Sequence, residues 1–108
     1  MKHGPIALLD HKVPVVAVAM PGNVYEKVIS NAQEAKARDA RLIGVTTSES
    51  IKDASTTFDD ILVVPDIEEL LSPILAVVPL QLLSYHIAAI KGLDVDQPRN
   101  LAKSVTVE

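Results

Sequence analysis

The chain has no cysteine, no tryptophan and one phenylalanine in 108 residues. Without cysteine there can be no disulfide, thiolate metal site or cysteine nucleophile, a usage that suits a reducing, cytoplasmic compartment. Aromatics make up 3% against 48% hydrophobic residues, so the core must be aliphatic, as in strands buried on both faces of a parallel sheet. The four glycines form no Gly-x-Gly-x-x-Gly or P-loop pattern. Basic residues are outnumbered 10 to 14 and do not cluster, which argues against nucleic acid as a partner. His3, His11 and His86 stand far apart, and no metal-ligand spacing occurs. The N-terminus lacks the apolar core and cleavage site of a signal peptide. The apolar run 67–90 is interrupted by Glu68, Glu69, Pro73, Pro79, Gln81 and His86, so it reads as a buried soluble helix rather than a membrane span.

What is present reads as one small α/β domain or a piece of a larger one. Gly4-Pro5 opens a short apolar turn over residues 6–9. Residues 13–20 form a continuous β-branched and small apolar run, the pattern of a doubly buried strand. Asn23 can cap an amphipathic helix whose apolar positions include Val24, Val28, Ile29, Ala32 and Ala35. A second strand is expected over 41–46 and a third over 61–64, with a polar loop between them in which 48–54 can form a turn or two. Ser72-Pro73 suits a cap and first helical position, Gly92 a C-terminal cap, and Pro79 should bend the helix between them or cost it a backbone bond. Strand, helix, strand implies parallel pairing with right-handed crossovers. Three strands and one amphipathic helix cannot cover a helix that is apolar nearly all round, so the chain either belongs to a larger domain or associates.

Taken singly, the candidate chemical groups are ordinary. His86 reads as a core histidine, and Gln81, Ser84 and Tyr85 as an interface stripe. The hydroxyl-rich stretch Thr46-Thr47-Ser48-Glu49-Ser50 follows the second strand, at the ligand-binding end of open α/β sheets, but Glu49 would repel phosphate and a solvated loop is favoured. His3, before a Gly-Pro helix start, could act as acid or base near neutral pH, and Lys103, in the polar stretch 94–108, could act as an amine in a dry pocket. By themselves these would be a surface histidine and lysine on fraying ends.

The two ends together, MKHGPIALLD and PLQLLSYHIAAIKGLDVDQPRNLAKSVTVE, resemble the C-terminal segment of the glutamine:fructose-6-phosphate amidotransferase (glucosamine-6-phosphate synthase) family. The resemblance covers the whole chain, and the DQPRNLAKSVTVE ending is its most specific part. It implies the latter part of the second sugar-isomerase (SIS) subdomain, a five-stranded parallel, flavodoxin-like sheet with helices on both faces. Residues 1–93 would be the partial subdomain and 94–108 a C-terminal active-site tail. The implied activity converts fructose 6-phosphate and glutamine into glucosamine 6-phosphate and glutamate. By resemblance, His3 assists sugar-ring opening and reaches the neighbouring subunit's site, Lys103 engages the open-chain carbonyl, and Ala102 supplies backbone contacts beside it.

The same resemblance implies a sugar phosphate and a second copy as partners, with no cofactor, metal or membrane. The family's glutaminase domain, first-half phosphate loop and catalytic glutamate have no counterpart in these residues. Met1 resembles an internal methionine, so a truncated and inactive polypeptide is expected. The alternative reading is a non-catalytic SIS-like sugar-phosphate-binding or assembly module.

Overall fold

The computed structural model of the chain describes residues 4–97. Three strands, β1 (Val15–Val18), β2 (Leu42–Thr47) and β3 (Asp60–Val64), form one sheet in the order β1-β2-β3. Both pairings are parallel, with Val15 beside Leu42 and Gly44 beside Ile61. Helix α1 (Tyr25–Lys36) connects β1 to β2, and the short helix α2 (Ile51–Ala54), entered through a 3-10 turn at Ser48–Ser50, connects β2 to β3. Ala32, Ala35 and Ala54 from these helices pack with Leu42 and Phe58 on one face of the sheet. Helix α3 (Ser72–Ile90) lies on the other, where Ala76 meets Val45 and Val64. This is the expected α/β parallel-sheet architecture with flanking helices.

Several local expectations change. Residues 13–20 were expected as a doubly buried strand, but only Val15–Val18 pair, and their burial alternates. Val16 and Val18 remain 38% and 39% exposed while Val45, in the cluster under α3, is fully buried. The cause is placement: α3 packs over β2 and β3, so its cover stops short of β1. Asn23 does not cap α1. The N-cap is Val24, without a side-chain cap bond, and the turn before the helix is closed by the Tyr25 N–H donating to the Gly22 carbonyl at 3.2 Å. Gly22 has φ 148°, and a Cβ there would run into the Glu69 carboxylate, so this turn requires glycine.

Ser72 does not cap α3 either. A 3-10 turn, Glu69–Leu71, leads directly into the helix, and the Ser72 hydroxyl donates back to the Glu69 carbonyl at 2.8 Å. The helix runs on through Pro79 for 19 residues. It ends as expected at Gly92, φ 68°, with the Gly92 N–H on the Ala89 carbonyl and the Leu93 N–H on Ala88. The expectation that this helix is buried fails within the described residues: only Ser72 and Ala76 are buried, and Ile90 is 85% exposed. Residues Glu69–Ile90 are long and apolar enough to cross a membrane by length and composition, with 6% of the apolar window buried. The shortage of cover that the composition implied is real, because three strands offer too narrow a floor. His86 is likewise exposed beside the Tyr85 ring, 5.3 Å away, and is not a core histidine.

The turn before β3 is more built than a polar loop. Phe58 is 4% exposed, and its ring lies on Gly44, where a Cβ would sit 2.5 Å from Phe58 Cδ2. Asp59 then clips the turn to β2: its carboxylate accepts the Leu42 N–H at 2.8 Å, and its own N–H donates to the Leu42 carbonyl at 2.9 Å. Lys36 donates to the Thr57 carbonyl at 2.9 Å and stands 3.5 Å from Asp59 Oδ1. The Leu42 N–H, and after it the Lys36 and Arg41 charges, hold the Asp59 carboxyl below its ordinary value. A depressed folded-state pKa gives a contribution that is complete above the unfolded value, about 3.9, and lost as pH falls through the folded one. Acid titration of stability should therefore show a loss below about pH 4 that is smaller in Asp59→Asn. An acid limb of equal size in the variant would contradict the clip.

Candidate functional site

In open parallel sheets, ligands bind beyond the C-terminal ends of the strands. Here that edge is formed by the segment 19–23 after β1, by Thr46–Ser50 at the end of β2, and by the start of α3. The buried Thr46 hydroxyl donates to the Ala19 carbonyl at 2.7 Å, tying the end of β1 to β2. Ser48 donates to the Asp66 carboxylate at 3.1 Å. Thr47 is 2% exposed, and its hydroxyl has no hydrogen-bond partner among the described residues. A cleft of about 290 Å³ opens beside this edge, walled by Val18, Met20, Val24, Pro73 and Ala76, with Glu69 at its side.

The hydroxyl-rich stretch thus divides in two. Thr46 and Thr47 are buried rather than solvated, while Ser48 and Glu49 are exposed. The solvated-loop expectation therefore holds only for its second half. Ser48 is already committed to an acid, and with Glu49 next to it the local charge disfavours phosphate.

Two features that sequence reasoning missed sit nearby. The Tyr25 hydroxyl oxygen is buried without a hydrogen-bond partner among the described residues. Burial, then the Asp53 charge, push its pKa up, and Ser50 offsets part of this. The second is the contact of Glu69 with Gly22, for which Pro21-Gly22 was the only sequence signal. Among the described residues no group of three or more His, Cys, Asp or Glu side chains could hold a metal. The described edge therefore supplies walls and fixed turns rather than a set of catalysts.

The stripe Gln81, Ser84 and Tyr85 lines a different cleft, of about 480 Å³, between α3 and the segment that follows it, with Asp94 and Val95 on the other side. The Asp94 carboxylate accepts the N–H groups of Asp96 and Gln97 at 2.9 and 3.0 Å, bonds that hold its pKa below the ordinary value. Gly92 and this Asx-type turn together fix the direction in which the chain leaves α3. The residues singled out as catalytic or sugar-contacting, His3, Ala102 and Lys103, lie outside the described residues, as does most of the 94–108 tail.

A parallel sheet carrying helices on both faces, with its polar turns at the strand C-termini, defines an α/β domain of the kind that binds small ligands at that edge. The SIS domain family profile matches residues 1–91, and the chain belongs to that family. It is 78% identical over all of its 108 residues to the glutamine–fructose-6-phosphate aminotransferase [isomerizing] of Synechocystis sp.. The enzyme of the same name from Thermus thermophilus is 55% identical, again over the whole chain. The C-terminal domain of glucosamine-fructose-6-phosphate aminotransferase from Francisella tularensis superposes with a TM-score of 0.79 at 42% identity, covering 89% of this chain and 27% of that one. The chain spans 17% of the length of the Synechocystis relative and 18% of the Thermus one.

Proposed function

We propose that this chain works as the C-terminal part of the isomerase half of an enzyme that makes glucosamine 6-phosphate from fructose 6-phosphate and glutamine. The carrying observation is the unbroken 78% identity, from first residue to last, with an enzyme named for that reaction. In this reading residues 1–93 form part of an SIS subdomain, and 94–108 close over the sugar as an active-site tail. His3 moves a proton during opening of the sugar ring, and it reaches the site of a neighbouring subunit in a cytoplasmic homodimer. Lys103 acts as the amine that engages the C2 carbonyl of the open sugar. For that its side chain must be neutral, which a dry, closed pocket favours by penalising the ammonium form. Ala102 supplies backbone contacts beside it.

The chain contains no cysteine and so no thiol nucleophile for glutamine hydrolysis, so the ammonia must be delivered by another part of the enzyme. With no counterpart of the family's catalytic glutamate or first-half phosphate loop in these residues, the 108-residue polypeptide by itself is inactive. The partner it needs is the remainder of a synthase, and its ligand is the sugar phosphate. The reading is tested by exchanging this chain for the matching segment of the Synechocystis relative and assaying glucosamine 6-phosphate.

A further inference from the structure

Helix α3 ends in two consecutive turns that fix the path of the chain beyond it. Gly92, at φ 68°, closes a Schellman motif: its N–H donates to the Ala89 carbonyl at 3.0 Å, and the Leu93 N–H donates to the Ala88 carbonyl at 2.9 Å. The chain is thereby turned back, so that Asp94 and Val95 stand across a cleft from Leu80, Gln81, Ser84 and Tyr85, about one to three turns before the end of the helix. In the second turn a single oxygen of Asp94, Oδ1, accepts the N–H groups of Asp96 and Gln97 at 2.9 and 3.0 Å. Pro98 comes next in the sequence and biases Gln97 toward extended conformations. All of these bonds join near neighbours in the sequence, so the exit geometry belongs to this stretch and holds whatever surrounds the chain.

We propose that Asp94 is a positioning residue for the sugar reaction: its carboxylate fixes the path along which Lys103 reaches the open-chain carbonyl. The inference rests on the reading of 94–108 as an active-site tail and adds to it the residue that aims the tail.

Distance makes the aim matter. Helix α3 starts at the C-terminal edge of the sheet, where ligands of such sheets bind, and its 19 residues carry the chain about 28 Å away from there. The stretch from Gln97 to Lys103 spans at most about 21 Å when fully extended. A tail that continued in the direction of α3 would fall short of that edge, whereas one turned back along the helix has it within reach. Gly92 makes the reversal, and Asp94 keeps it. Without an acceptor at position 94 the N–H groups of Asp96 and Gln97 turn to water, and the segment samples other directions. Only the fraction of molecules with the tail aimed at the site then carries out the chemical step.

The experiment uses a synthase that carries this chain as its C-terminal segment and measures glucosamine 6-phosphate formation against fructose 6-phosphate concentration. Asp94→Ala should lower kcat about tenfold, the loss expected of one cap-type carboxylate serving two N–H groups. KM should stay within about twofold, because the family's phosphate loop has no counterpart in these residues and the sugar is held elsewhere. Asp94→Asn should keep kcat within about twofold of the parent, since its amide oxygen accepts the same two bonds without the charge. Hydrogen exchange of the Asp96 and Gln97 amides should quicken in Asp94→Ala and not in Asp94→Asn, which reports the turn apart from catalysis. A parental kcat in Asp94→Ala, an asparagine variant as slow as the alanine one, or a loss confined to KM would each overturn the positioning role, with the tail reading left standing as long as Lys103→Ala abolishes amination. A Lys103→Ala synthase that forms glucosamine 6-phosphate at the parental rate would instead overturn the tail reading, and the role of Asp94 with it.

Discussion

Replacing Lys103 by alanine, in a synthase that carries this chain as its C-terminal segment, is expected to lower glucosamine 6-phosphate formation on the order of 10²–10⁴-fold. Glutamine hydrolysis should remain measurable, because the chain has no thiol to serve as the nucleophile of that step. The size of the effect follows from the role. An amine that attacks the sugar carbonyl has no substitute in the neighbouring side chains Ala102 and Ser104, neither of which carries a basic nitrogen. Lys103→Arg should not rescue, since guanidinium stays charged and cannot add to a carbonyl. Parallel assays of glutamate release and sugar amination separate the two half-reactions. Equal loss of both would mean that the tail acts on assembly rather than on the sugar.

The largest stability effect is expected at Phe58. Its ring is buried at 4% exposure and seals the sheet face over Gly44, in the cluster that includes Leu42, Ala35 and Ala54. Phe58→Ala should cost about 3–5 kcal/mol, the range for a large buried aromatic with little to collapse into the gap. Small domains have about 5–15 kcal/mol in all, so the variant should be close to unfolded at room temperature. Gly44→Ala acts on the same contact from the other side. The added methyl meets the ring and should cost about 1–3 kcal/mol as overpacking. Denaturant melts report both. A loss under about 1 kcal/mol for Phe58→Ala would mean that the ring does not seal this core.

Phe58 also marks where the sequence stopped being legible. The three strands, the crossover helix and the Gly92 stop followed from apolar periodicity and turn residues, which are local signals. Phe58 sits among Thr57, Asp59 and Asp60, so its segment read as polar loop; its burial depends on the absence of a side chain at Gly44, fourteen positions earlier in the chain. The caps failed for a related reason. Asn23 and Ser72 are good capping residues in isolation, but a closed turn at Gly22 and a 3-10 turn at Glu69–Leu71 deliver the chain into each helix already hydrogen-bonded.

Burial was the least readable quantity. The apolar runs 13–20 and 67–90 imply cover on all sides, and how much of it lies within this chain is set by where α3 lands on the sheet, not by either run. Of the proposed site residues, Ala102 came from resemblance alone, while His3 and Lys103 drew notice for their chemistry but gained a role only from the resemblance, since a lone histidine and lysine near chain ends carry no periodic or spacing signal. The buried hydroxyls of Thr47, at the end of β2, and Tyr25, at the start of α1, were invisible for the opposite reason: nothing in their neighbours announces a buried polar group.

The most direct measurement is the rate of glucosamine 6-phosphate formation by the Synechocystis relative after its C-terminal segment is replaced, residue for residue, by these 108 residues. Differences confined to the remaining fifth of positions should leave the rate within about tenfold of the parent enzyme, equivalent to less than about 1.4 kcal/mol in the barrier. A folded hybrid that hydrolyses glutamine yet forms no glucosamine 6-phosphate would contradict the proposed function.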